Sequence, residues 1–315
     1  MGFAYRPILL CLLFFSVSLS LAQQVATDDH LSLEFLRSQI TLGFSTASAR
    51  SFLDVDGSYN SSTGFCSATI PLYGNLSDHT EGTLSYFILA RGHFSYFRPA
   101  ISFLSSSSSV YLAKVGLTGG IATTVRHVYL LTFNAGLAEN GNKLSNARTR
   151  PTGSLIGKYQ LDGSFAFVYG ISYSYTFDRG LLLPVLGTHC TLVKDLQLHL
   201  VLPFSMELEY ADVPSLHFGF VARANGNQIH VQENGNFGQL SSPLYLKVSQ
   251  IQIAFSVSLE VAEKIWLYGE AGALRNRNLA IGPLDHNLVS SRIENSGYSS
   301  IVLKYAIDRF SSWLE

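Results

Sequence analysis

The chain has 315 residues, a net charge of −1, and only 14% charged side chains against 47% hydrophobic and 12% aromatic. Soluble domains carry about 25% charged residues, so few of these side chains are suited to a surface in water. The near-neutral balance lacks the basic footprint of a nucleic-acid partner, and no run of about 18 apolar residues occurs after residue 22 to make a transmembrane helix.

Residues 1–22 read as an export signal. Arg6 supplies the positive start, 8–17 the apolar stretch, and Ser20-Leu21-Ala22 the small-residue cleavage pattern before Gln23. Cys11 lies inside the stretch without the lipoprotein-type residues that lipid attachment would need. A lead-in occupies 23–34.

From 35 to 310 the pattern has a period of two. Leu36, Ile40, Leu42 and Phe44 oppose Arg37, Gln39, Thr41 and Ser45. Val125, Tyr129, Leu131, Phe133 and Leu137 oppose Arg126, Thr132 and Asn134. Over 165–177 every odd position is large and apolar and the positions between are small or polar, which signals a strand. At ~3.3 Å per residue and a tilt of ~40° that run reaches ~30 Å vertically, close to a bilayer's hydrocarbon core. Leu196 to Leu208 continues as one alternating run, with Gln197, His199, Ser205, Glu207 and Glu209 on the polar parity. Ile251 to Leu259 and Ile301 to Ile307 repeat it, with Glu260 and Lys304 on the polar side. Apolar residues turned to lipid and polar ones to a lumen explain the whole series.

Long polar stretches at 48–62, 99–108 and 139–152 come after the first, third and fifth strands. Thr118-Gly119-Gly120 and Asp162-Gly163 mark tight turns after the fourth and sixth. Turns near Asp178-Arg179-Gly180, Lys194-Asp195, 211–214 and 262–264 are all short. The expectation is an all-β, antiparallel transmembrane β-barrel of about twelve strands, fourteen if 152–162 and 228–232 divide differently, in one domain with a tail at 311–315. A soluble β-sandwich is the rival fold, with the 165–177 stripe facing a second sheet.

Leu183-Pro184-Val185-Leu186-Gly187, Leu200-Val201-Leu202-Pro203-Phe204, Leu208-Glu209-Tyr210 and Tyr268-Gly269-Glu270-Ala271-Gly272, with Arg275 and Arg277 after it, carry a resemblance over about 180–310. The stretch resembles a family of uncharacterised bacterial outer-membrane β-barrels, a domain of unknown function. That resemblance implies a Gram-negative outer membrane and brings no assigned activity. Such barrels usually end on an aromatic read by the assembly machinery, whereas this chain runs past Phe310 to Ser311-Ser312-Trp313-Leu314-Glu315.

If parity holds, Arg37, Arg126, Glu207, Glu209, Glu260, Glu270 and Lys304 face the lumen. They form either a charge-selecting constriction for small polar solutes or a set of ion pairs bracing a filled barrel. Arg275 and Arg277 have the parity opposite to Glu270 and are expected at a solvated rim, within reach of lipopolysaccharide phosphates. His93 and Ser95 share a face, the pairing of an outer-membrane lipid hydrolase. Phe94 and Tyr96 hold the lipid parity, which turns that pair away from its substrate. Asp54-Val55-Asp56-Gly57 lacks the later carboxylates of a calcium loop and reads as a turn. No cofactor, metal or catalytic set is assigned. Outer-membrane lipid, lipopolysaccharide and the assembly machinery are the expected partners. A passive pore is the leading function, and a plugged structural or adhesive barrel the alternative. Cys66 has the parity of the apolar Ile70 and Leu72, and spacing alone does not pair it with Cys190.

Overall fold

A computed structural model describes residues 38–75, 85–102, 109–124, 126–140, 148–174, 180–231, 244–282, 287 and 289–307. The stretch read as an export signal, Arg37 and the expected tail at 311–315 lie outside these residues. Fifteen strands run in chain order: β1 (Ser38–Ser51), β2 (Ser58–Asn75), β3 (Ser85–Ile101), β4 (Val110–Thr124), β5 (His127–Asn140), β6 (Arg148–Gln160), β7 (Phe165–Ser174), β8 (Leu181–Val193), β9 (Leu196–Leu202), β10 (Ser205–Val213), β11 (Leu216–Val231), β12 (Leu244–Ala262), β13 (Ile265–Gly282), β14 (Val289–Ile293) and β15 (Ser296–Ile307). Each pairs antiparallel with its neighbour, and β1 meets β15 with Leu42 opposite Leu303. β13 pairs with β14 through 277–281 and with β15 through 265–274, so those two are parts of one stave. The sheet is a closed antiparallel barrel of fourteen staves. Closure pairs every strand on both sides over most of the wall; above the β9–β10 hairpin, β8 before Leu186 and β11 beyond Arg223 have ladder partners on one side only.

Alternation sorts the side chains as the sequence predicts. Leu131, Phe133, Phe255 and Ile301 point outward, Phe255 with 71% of its surface exposed, while Thr132, Asn134, Ser256 and Ser300 between them are buried inside. The described part of the aromatic stripe obeys the same rule: Phe167 and Ile171 are outside, Ala166, Val168 and Ser172 inside. Among the described residues no second sheet covers it, and the sheet closes on itself, so the sandwich alternative falls. No helix among the described residues is long and apolar enough to cross a membrane, which says nothing of strands.

Strand bounds place the connections at two ends. At one end, here the turn end, β4, β6, β8, β10 and β12 finish and are followed by short connections, among them 161–164, 194–195, 214–215 and 263–264. The opposite loop end is where β1, β3, β5, β7, β9, β11 and β13 finish. The Asp162-Gly163 and Lys194-Asp195 turns fall where expected. Thr118-Gly119-Gly120 does not: it continues β4, and the chain reverses instead at 125–126, between Thr124 and His127. The 48–62 stretch is also mostly strand, because β1 and β2 keep pairing up to Ser51 and Ser58.

The run from Leu196 to Leu208 is two strands, not one. Val201 pairs with Ser205 across a reversal at 202–204. Three intervening residues are an odd number, so inward and outward parity continue unchanged through the hairpin. A period of two therefore gives no sign of it. The hairpin is low, seven residues in β9 and nine in β10 against nineteen in β12.

The interior is narrow. β5 and β11 are well separated around the ring, yet their Cα atoms approach within 8 Å. The barrel is flattened there. Phe87, Leu89, Leu130, Ile156, Val168, Val185, Val201 and Phe204 form one apolar cluster inside the wall. A second joins Phe52, Tyr59, Ile101 and Val110 to Leu246, Val248, Leu279, Ile281 and Ile293.

Candidate functional site

Two inward polar arrays lie along the flattened lumen. The first centres on Glu270 of β13, whose carboxylate is almost fully buried. Arg223 of β11 donates from Nη1 to its Oε1 at 2.6 Å. Tyr268 donates to the same oxygen at 2.5 Å, while Gln252 and Tyr298 donate to Oε2 at 2.7 and 3.2 Å. Four donors on strands β11 to β15 thus satisfy one carboxylate, as a charge away from bulk water demands. Glu207 of β10 lies 3.7 Å from the other guanidinium nitrogen of Arg223, and Asn225 donates to Gln252 at 2.6 Å. Nearer the turn end, Glu209 lies 2.7 Å from His217 Nδ1, whose ring packs 5.3 Å from Trp266.

The second array is basic and lies on β3 to β6. Strand register puts His93 beside Lys114, Lys114 beside Gly136, and Gly136 beside Arg150. One row lower, Arg91 leads through Gly116 to Asn134 and Thr152, the last two joined by a 3.2 Å hydrogen bond. All the non-glycine members of both rows are buried on the inner face. Alternation accounts for this: even positions of β4 to β6 and odd positions of β3 turn inward.

The predicted lumen residues separate under this geometry. Glu207 and Glu270 come together on Arg223. Glu209 makes its own pair. Glu260 accepts the backbone N–H of Lys264 at 3.3 Å and braces the β12–β13 turn. Lys304 is half-buried on the inner side of β15, opposite Thr41 and Trp266. Arg126 departs from expectation: it stands exposed in the two-residue turn at 125–126, where strand parity no longer applies. Arg277 departs further. A bulge at Asn276, whose φ is 46°, shifts the register between Ser249 and Ile251 and reverses the facing of the β13 residues beyond it. Arg277 is therefore fully buried rather than at a rim, with its guanidinium 5.2 Å over the Tyr59 ring and Nη1 donating to Glu294 O at 3.2 Å. Arg275, before the bulge, is exposed.

Sequence reasoning missed Arg91, Lys114, Arg150 and Arg223. Parity held the signal for each: Arg91 shares the parity of His93 and Ser95, and Arg223 that of Val221. His93 and Ser95 are both buried inside, away from the outer face. Asp54 accepts the backbone N–H of Arg292 at 3.1 Å, in keeping with a turn that ties β1 to β14. Among the described residues no three His, Cys, Asp or Glu side chains gather to hold a metal, and Cys66 and Cys190 form no disulfide.

No family model matches the chain, and no curated protein matches it. Solved structures do. An outer membrane channel from Pseudomonas putida F1 is similar at 11% identity and a TM-score of 0.44, over 86% of this chain and 96% of that one. OccK7 (OpdD) of Pseudomonas aeruginosa gives 11% and 0.32 over 86% and 98%. The translocator domain of the autotransporter NalP from Neisseria meningitidis gives 10% and 0.35 over 92% and 100%. At such identities and scores these likenesses say nothing of activity. The barrel rests on its own strand pairing.

Proposed function

We propose that this chain is a bacterial outer-membrane β-barrel whose narrow, charged lumen passes or binds small polar solutes without transforming them. The observation that carries the reading is the division of the wall into two faces. Large apolar side chains are exposed outside, and Glu207, Glu270, Arg223, Arg91, Lys114 and Arg150 are turned inside. Hydrocarbon favours that outer face, and an aqueous path accounts for charges that a purely structural core would do without. The export signal, the outer-membrane address and contacts with lipopolysaccharide at the loop end belong to the same proposal.

The approach of β5 to β11 and the two inner apolar clusters favour a second reading, a barrel shut by its own walls that serves as a scaffold. Conductance of the detergent-refolded chain in a planar bilayer separates them. Discrete current steps whose ion selectivity shifts in Glu207→Gln support the channel. Folded, inserted protein with no current supports the scaffold.

A further inference from the structure

Lys114 is the unusual member of the basic array. Only 3% of its surface is exposed, and its Nζ meets no hydrogen-bond acceptor among the described residues. The stem lies across Gly136, where an added Cβ would sit 2.9 Å from Lys114 Cγ. Gly136 thus leaves open the wall position between Lys114 and Arg150, and the ammonium is directed along the inner face rather than out to water. His93, its register partner, is also buried, with an unpaired Nδ1 and a ring stacked 5.9 Å from Phe65. Arg150 brings a second fixed positive charge from the far side of Gly136.

A buried ammonium needs an acceptor, and an unpaired one in a low-dielectric site is costly. Glu270, by contrast, is met by four donors. The charged or polar side chains that the register sets nearest Lys114 in its row are His93 and, past Gly136, Arg150, surroundings suited to an anion that brings its own acceptors.

We propose that the lumen holds an oxyanion site centred on Lys114, with His93 and Arg150 beside it, fitted to the carboxylate or phosphate group of a small solute. The inference rests on the solute-channel reading only for how the anion arrives; the site itself is a property of the wall. A small solute carrying that group would be held against the β3–β6 wall, and cations would be disfavoured there.

Calorimetric titration of the refolded full-length protein with inorganic phosphate, at constant chloride, tests this directly. Saturable binding is expected in the wild type. Lys114→Met is expected to weaken it about tenfold or more, and Lys114→Arg to retain most of it. Absence of saturable binding in the wild type, or equal binding in Lys114→Met, would overturn the site. Lys114→Met removes a buried charge and keeps the side-chain volume, so it is expected to fold, and the barrel's resistance to unfolding in detergent at low temperature verifies that. Binding is read without any current, so a silent bilayer would dismiss the channel while leaving the site standing. Conversely, an open pore with no phosphate binding would dismiss the site alone.

Discussion

Arg223 and Glu270 face each other across β12, two strands apart, with guanidinium and carboxylate 2.6 Å apart. Neither could be replaced alone without leaving a buried charge. Glu270→Ala is expected to destabilise the barrel by about 3–5 kcal/mol, the usual result of breaking a buried pair from one side. Arg223→Met with Glu270→Leu should recover part of that loss, since this pair of charges goes together and only the 3.7 Å contact of Arg223 with Glu207 is given up. Urea unfolding in lipid vesicles measures both, and equal losses in the single and double variants would refute the pairing as the cause.

The turn position of Arg126 has an electrical consequence. Arg126→Glu reverses a charge that stands in solvent beyond the wall, where salt screens it over about 8–10 Å. If the barrel conducts, this change leaves the ion selectivity within error of wild type, whereas Glu207→Gln shifts it. Reversal potentials across a salt gradient supply the comparison.

Gly187 of β8 sits where a Cβ would run into the backbone carbonyl of Leu200 on β9. A carbonyl in a strand ladder has little room to move, so Gly187→Ala is expected to cost about 1–3 kcal/mol, as overpacking does elsewhere. Slower refolding into detergent micelles and a lower unfolding midpoint would register it.

At the turn end Asp162 Oδ1 accepts three hydrogen bonds, from Ser164 N at 2.7 Å, Ser164 Oγ at 2.8 Å and Phe165 N at 2.9 Å. These hold its carboxyl below the ordinary value of 3.8, the bonds to Ser164 most of all. A depressed folded-state pKa means the turn's contribution is complete above that ordinary value and fades as pH falls through the lower one. Asp162→Ala should therefore be less stable than wild type at neutral pH and indistinguishable from it in strong acid. A stability gap that persists unchanged into strong acid would count against the turn's role.

Much of this molecule is legible from periodicity. The facing of Thr41, Thr132, Asn134, Ser172, Glu207, Glu209 and Glu270 comes from alternation against exposed neighbours such as Leu42, Leu131 and Ile171. Periodicity cannot show the places where the chain changes direction or register without breaking the count. The odd-membered reversal at 202–204 hides two strands within one run. The bulge at Asn276 carries Arg277 from an expected rim to a buried position. Arg126 breaks the rule for the opposite reason, because its parity extends a strand that has already ended. The Lys114 array is readable by parity but not as a cluster, since it needs the register of four strands at once.

The low β9–β10 hairpin sets how the molecule would stand in a membrane. Seven residues at ~3.3 Å and a tilt of ~40° reach only ~18 Å vertically, whereas the nineteen of β12 reach ~48 Å. A hydrocarbon layer of about 30 Å cannot match both. Lipid would thin beside β9 and β10, or the whole cylinder would lean toward that flank, so that its axis departs from the bilayer normal. In thicker membranes the strain would grow on this one side alone, giving the barrel a preferred edge for meeting thin lipid or another protein's short wall.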